Sequence, residues 1–438
     1  MAFASVGSLG TASGKGVGSI SVNPSSSVPV GDLVVVFAAV VYAGGPGDPD
    51  WFYGCTDSQG NLYAQLGHAQ ANPGGNGANG MVFVCKLNTA ITGADTITVR
   101  NNYGSGTVKA MSVWQFTIGG KWAFRAIATD AANSGDPASQ TIAGLVSQEY
   151  LWLHSVGSNG PNSDSFTAST NYTAATQAGT TGGAVTDNET VVGEFRIFTG
   201  TTDSVDVTNN TAARAYGQVY VALYEFTDTV GFPTTPILDN FNRANESPLA
   251  GGWNTAAMFT FTDALVSNAA TSTGSGAGGQ VWGTTTATFD QEAYATLTAK
   301  PGAAGRSVAV VAPARTGDAA PRSLWYLTPS ISDHDWLTLG GAGSLGGINY
   351  VGVSINMTVG NKLGIRFLSG NASLFLDTGS GFQWWGGSYN GSVPAGGTAW
   401  SPGLMVDDTG QVARMDDFGG GPFVSPLGHL LPILGVGS

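Results

Sequence analysis

The chain has 438 residues, of which 66 are glycine, 42% are apolar and only 10% are charged, with a net charge of −13. Apolar content this high excludes disorder, the glycines lack the period of three that collagen needs, and an acidic chain with scattered Lys and Arg suits neither a nucleic-acid groove nor an anionic membrane surface. A turn-dense, all-β protein of about two domains remains, since β units commonly run to 200 residues or more.

The first ten residues lack the charged start and the apolar core of about 7–15 residues that a secretory signal has, so synthesis and assembly in the cytoplasm are expected. Leu33 to Tyr42 is the longest apolar run. It falls short of the roughly 20 residues of a bilayer-spanning helix, so no membrane insertion is expected, but it suits a strand buried on both faces. Short apolar runs broken by Gly, Asn, Asp, Ser and Pro predict strands at Gly18–Val22, Asp32–Tyr42, Gly80–Leu87, Thr96–Asn101, Val108–Thr117, Ala123–Thr129, Tyr150–Val156, Thr190–Thr199, Ser204–Thr208 and Tyr216–Phe226. Cys55 and Cys85, the only cysteines, sit in two apolar stretches. In a reducing compartment they read as buried free thiols, although the sequence leaves a disulfide open.

Val28-Pro-Val-Gly-Asp-Leu-Val-Val-Val-Phe37, followed by Thr56-Asp-Ser-Gln-Gly-Asn-Leu-Tyr63, resembles the N-terminal β-sandwich of phage minor tail and related surface proteins. Gln59-Gly60-Asn61 has its own reason to turn, because Gly and Asn tolerate positive φ. In Tyr216–Phe226, alternation puts Val219, Val221 and Leu223 on one face and Tyr216, Gln218, Tyr220 and Tyr224 on the other. Three readings of the tyrosine face stay open: a sugar platform, a subunit interface, or a surface beneath a loop of its own domain.

Pro233 and Pro236 stiffen residues 230–236, read as a linker that closes an N-terminal domain of residues 1–229. Asp239-Asn-Phe-Asn-Arg-Ala-Asn245, with Ser247-Pro-Leu249 and Gly251-Gly-Trp253, is answered by Ala413-Arg-Met-Asp-Asp-Phe418. Together they resemble the opening and closing strands of a concanavalin A-like (laminin-G-like) lectin jelly roll over residues 237–420, and that resemblance implies two terminal strands lying side by side. Within it, strands are predicted at Met258–Thr262, Gln291–Ala299, Ser307–Ala312, Ser323–Thr328, Tyr350–Val359, Lys362–Phe367 and Ser373–Leu376, the last two as a hairpin turning at Gly370-Asn371. Phe382 to Gly391 reads as a loop whose Trp384, Trp385 and Tyr389, beside Asn390, either stack on sugar or serve packing and subunit contact. Residues 421–438, apolar and punctuated by Pro and Gly, read as an extended arm whose Leu430, Leu431 and Leu434 lie on a neighbouring subunit or groove.

No catalytic residues are expected. A glycosidase on a jelly roll needs two carboxylates about 5–5.5 Å apart when retaining, yet the only glutamates after residue 236 are Glu246 and Glu292. His68, His154, His334 and His429 stand alone, Asp333-His-Asp-Trp336 reads as an exposed acidic turn, and two cysteines make no zinc site. Neither metal nor cofactor is expected. The resemblances imply a non-enzymatic virion protein of two β-sandwich domains, most like a minor tail (tip or fibre) protein, made in the host cytoplasm, a homo-oligomer and by resemblance a trimer, with other virion proteins and a host-envelope glycan as partners. A capsid decoration or head-fibre protein is the alternative within virions. Outside them stands a bacterial surface carbohydrate-binding protein or glycosidase.

Overall fold

The structure is a computed structural model that describes residues 3–42, 53–71, 77–101, 109–228, 230–255, 263–273, 277–283, 290–301, 307–314, 323–328, 335–341, 351–355, 357–368, 370–389, 401–407 and 412–422. The protein is all-β. Among the described residues the only helical turn is Val185–Asp187, and no helix is long and apolar enough to cross a membrane. The chain divides into two compact units, one of Met1–Thr227 with Tyr350–Ile355 and Trp385–Ser388, the other of Asp228–Asn349, Asn356–Trp384 and Tyr389–Ser438.

The first unit has three layers. Its middle sheet runs Phe3–Gly14, Lys109–Ile118, Leu33–Tyr42, Gly77–Lys86, Ala64–Gln70, all antiparallel. One face packs on the sheet of Thr173–Ala174, Thr190–Gly200, Gln148–Ser158, Arg214–Phe226 and Lys121–Gly135. The other face shares a core with the small sheet of Ser19–Val22, Ile97–Asn101 and Tyr53–Asp57, through Ile20, Val22, Ile97 and Val99. Leu33 to Val40 lies between the two layers, which is why every side chain in it is fully buried. A continuous apolar run is what that position demands.

Where the two larger sheets cross, backbone meets backbone. A Cβ on Gly217 would lie 1.9 Å from the Ala69 carbonyl oxygen, one on Gly80 2.3 Å from the Gly217 oxygen, and one on Gly157 2.4 Å from the Asn79 oxygen. Only glycine fits such a contact.

The second unit is a two-sheet sandwich. One sheet orders Trp253–Thr255, Ala277–Trp282, Ser401–Asp407, Ser307–Ala314, Ser323–Thr328 and Asp335–Gly341. The other orders Asp263–Val266, Ala269–Ser272, Arg414–Pro422, Gln291–Ala299, Lys362–Leu368 and Asn371–Asp377. Leu297, Leu363, Ile365, Val308, Val310 and Leu404 are fully buried in this unit. The hairpin at Gly370-Asn371 forms as expected, with Leu368 opposite Asn371 and Gly370 at φ +87°.

Most predicted strands inside the described residues recur within a few residues of their expected ends; Ala123–Thr129 proves longer, as Lys121–Gly135, Tyr350–Val359 shorter, as Val351–Ile355, and Ser204–Thr208 is split into Asp203–Val205 and Thr208–Asn209. Met258–Thr262 lies outside the described residues. Phe3–Gly14 has no counterpart in the sequence reading, because its Ser, Gly and Ala residues carry little strand propensity. The segment read as an aromatic loop is in fact mostly a strand, Gln383–Tyr389.

Candidate functional site

Two sequence candidates for ligand contact prove to be interior. Trp384 and Trp385 are only 9% and 5% exposed, so neither ring offers a free face to a sugar. The physical reason is that Gln383–Tyr389 is a strand and not a loop, in which successive side chains point to opposite sides. The Tyr389 side chain and all of Asn390 lie outside the described residues, as do Leu430, Leu431 and Leu434 of the C-terminal arm.

The tyrosine face of Arg214–Phe226 is likewise closed. Tyr216, Tyr220 and Tyr224 are 3%, 0% and 7% exposed. Residues from the 159–213 excursion of the same unit cover the first two, so they are not available to another subunit. Tyr220 hydroxyl lies 2.8 Å from that of Tyr172, which donates to Asp203 Oδ2 at 3.0 Å, and Tyr216 donates to Asp130 Oδ2 at 2.6 Å. Between them, His154 Nδ1 sits 2.9 Å from Glu194 Oε1 and Nε2 sits 2.9 Å from Gln218 Oε1. Ser169 caps Glu194 with its backbone N–H at 2.7 Å and its hydroxyl at 2.6 Å. A serine, a histidine and a carboxylate thus meet, but the serine donates to the carboxylate and not to the histidine. The cluster is a satisfied buried network that fixes the covering loop.

The 57–63 turn is equally structural. Asp57 accepts from the backbone of Gln59 (3.0 Å) and Asn61 (2.9 Å), from the Asn61 amide (2.8 Å) and from Tyr63 hydroxyl (3.2 Å), while Gly60 takes φ +79°. Burial raises the Asp57 carboxyl against the lowering pull of these donors, Asn61 foremost. Cys55 and Cys85 are free and buried, and burial pushes both thiols well above their ordinary value.

In the second unit, the residues that suggested a jelly roll form one knot. Ile237–Asp239 pairs with Arg414–Pro422, so the expected union of first and last strands is present. Asp239 Oδ1 accepts from Phe241 N–H (2.8 Å) and Arg243 Nη1 (2.6 Å), and Oδ2 accepts from Trp253 Nε1 (2.7 Å). The Trp253 ring stacks near Phe241 at 5.8 Å and meets Phe418 of the closing strand at 4.8 Å. Glu246 holds Arg243 at 2.6 Å and the Ala250 N–H at 2.8 Å.

Residues 230–236, read as a linker, are bound together with Asp228 into this unit by Arg366. Its fully buried guanidinium donates to Glu292 Oε1 (2.8 Å), Asp228 Oδ1 (2.8 Å), the Val230 carbonyl (2.9 Å) and the Gly231 carbonyl. Glu292 Oε2 accepts from the N–H groups of Thr234 (2.8 Å) and Thr235 (3.1 Å), and Phe232 stacks flat on Phe375 at 4.0 Å. Both glutamates after residue 236 are therefore engaged in ion pairs that hold the fold.

Among the described residues, each unit carries an open polar groove. The first, of about 500 Å³, is lined by Gly18, Ser19, Thr56, Asp57, Ser58, Thr96, Thr98 and Arg100. Its hydroxyls largely satisfy their own neighbours: Thr98 faces Ser21 at 2.8 Å and Ser58 donates to Asp95 at 2.8 Å. The second, of about 650 Å³, is lined by Ser267, Asn268, Ala269, Thr298, Ala299, Val412, Arg414 and Asp416. Here the turn Ser267-Asn268, with φ +53° and +62°, projects beside the strand that carries Arg414 and Asp416 on one face. Burial, helped by Asp417 and Asp239, raises the Asp416 carboxyl. The sequence reading quoted Arg414 and Asp416 only as part of the closing strand and did not single out Asn268 or Thr298. The one available signal was the alternation of Arg414 and Asp416 with apolar Ala413 and Met415.

No protein-family model matches the chain, and no curated protein sequence matches it. Among solved structures, the exoplasmic/lumenal domain of VIP36 bound to Ca2+ and Man3GlcNAc aligns at 12% identity over 40% of this chain and 86% of its own, with a TM-score of 0.28. The Bacteroides ovatus xyloglucan protein GH43B aligns at 12% identity over 56% of this chain and 51% of its own, with a TM-score of 0.30. The Bacillus licheniformis GH43 protein BlXynB aligns at 12% identity over 57% and 51%, with a TM-score of 0.29. Likeness this distant says nothing of ligand or activity.

Proposed function

We propose that the chain is a non-enzymatic structural protein of a phage virion, a minor tail protein of the tip or fibre, whose second unit is a lectin-type module for host-surface glycans. The observation that carries this reading is the knot of Asp239, Arg243, Trp253 and Phe418. The residues that resemble a lectin-type jelly roll are the ones that tie its opening strand to its closing strand. A non-enzymatic role is favoured by the engagement of Glu246 with Arg243 and of Glu292 with Arg366, which leaves neither glutamate available as a general acid. Other virion proteins and further copies of the chain are the proposed partners, with residues 421–438 as the arm that joins copies. The test is competition: host cells pre-incubated with purified chain should adsorb fewer phage particles. Unchanged adsorption at saturating protein, with no protein retained on the cells, would overturn the host-attachment role.

A further inference from the structure

The geometry points to the groove of Asn268, Thr298, Arg414 and Asp416 as a binding site for a neutral sugar, recognised through a pair of adjacent hydroxyls. This inference rests on the reading of the second unit as a glycan-binding module and supplies the site that the buried tryptophans do not.

Residues two apart on a strand share a face and stand roughly 6.6–6.8 Å apart, so Arg414 and Asp416 reach into the groove side by side. A surface guanidinium and carboxylate so placed usually pair with each other. These do not: among the described residues the Arg414 side chain makes no hydrogen bond or ion pair, and the Asp416 carboxylate has the N–H of Asp417, at 2.7 Å, as its polar contact. Asn268 also leaves its side-chain amide without a partner, and Thr298 Oγ1 is buried without one. Of these groups only Thr298 Oγ1 is buried; Asn268, Arg414 and Asp416 are solvated side chains that line the same concavity, where one ligand can replace their water together.

The donor set defines the ligand class. A carboxylate only accepts, a guanidinium only donates, and an amide does both. Neighbouring hydroxyls of a sugar ring match this arrangement, each donating to Asp416 while accepting from Arg414 or Asn268. An anionic ligand would meet Asp416 and a cationic one would meet Arg414, so a neutral ligand is selected. The volume of about 650 Å³ falls within the range of small-molecule sites. Among the described residues no aromatic ring lines the groove, so one site binds weakly and adhesion depends on several copies engaging one surface.

The test uses the full chain on a printed panel of neutral, N-acetylated and acidic glycans, followed by calorimetric titration of the strongest neutral binder against wild type and three variants. Arg414→Met and Asp416→Asn remove the charges from half-exposed positions, and Asn268→Gly removes the amide while keeping the positive φ. Arg414→Met and Asp416→Asn should each bind at least about tenfold more weakly, the factor expected for losing a charged hydrogen bond, and Asn268→Gly at least about threefold more weakly, as for a neutral one, all with an unchanged melting temperature. If wild type and all three variants bind neutral glycans equally, the groove is wrong while the glycan-binding reading stands. Preference for acidic glycans overturns the ligand class, and a folded wild-type chain that binds nothing on the panel overturns both the groove and the glycan role.

Discussion

Replacing Arg366 by Met tests whether Asp228 and residues 230–236 are held by the second unit. Arg366 is fully buried, as is Glu292, and Asp228 is 1% exposed, so the substitution leaves two carboxylates in an apolar interior without their counter-charge. Removing one partner of a buried ion pair costs about 3–5 kcal/mol, whereas replacing the whole group by apolar residues is close to neutral. The orphaned carbonyls of Val230 and Gly231 add to that cost, although the opened segment readily finds water for them. The expected outcome is a second unit destabilised by about 3–5 kcal/mol and loss of amide-exchange protection at Thr234 and Thr235, whose N–H groups bind Glu292. Adding Glu292→Gln to Arg366→Met should recover part of the loss, because a neutral amide tolerates burial better. Denaturant unfolding and hydrogen exchange on the full chain provide the readout. If Arg366→Met unfolds within about 1 kcal/mol of wild type with Thr234 and Thr235 still protected, the clamp does not hold the segment.

The fully buried carboxyls of Glu189 and Asp263 are both raised by desolvation, so the folded state holds protons that the unfolded state releases. The contribution of these two groups to stability should be greatest below the ordinary carboxylate range and fall as pH rises from about 4 toward the raised values, by up to about 1.4 kcal/mol per pH unit for each group. Glu189→Gln and Asp263→Asn should each flatten that fall in melting curves between pH 5 and 8; an unaltered slope would contradict the burial. Gly217→Ala should prevent the first unit from folding, because its Cβ would sit 1.9 Å from the Ala69 carbonyl, and a soluble variant with native circular dichroism would refute the contact. Cys55 and Cys85 should resist a thiol reagent in the native protein and react fully in denaturant, whereas rapid native labelling would place them at the surface.

The sequence revealed most where one physical demand fixed the residue types. Leu33 to Val40 announced a strand covered on both sides, and Asp57-Ser-Gln-Gly-Asn61 announced a turn that Asp57 and Gly60 do hold. Phe3–Gly14 was invisible because its order comes from pairing with Lys109–Ile118 and not from its own small side chains. The aromatic candidates misled for a related reason: glycines around Trp384 and Trp385 suggested a loop, but Gly386 and Gly387 are buried members of the strand. Residues 230–236 read as a linker because prolines punctuate them. What binds them is Arg366, more than 130 positions away, and no local pattern reports a contact at that separation. The groove was missed because its residues come from three separate elements that only the sheet order brings together.

The central claim is that this chain is displayed on a phage particle. Immunogold electron microscopy with an antibody against the purified chain, applied to particles from a lysate that expresses it, tests that claim most directly. Gold at the tail tip or along tail fibres is the predicted result. Gold confined to host-cell envelopes, with particles unlabelled and the antigen absent from purified virions, would contradict it.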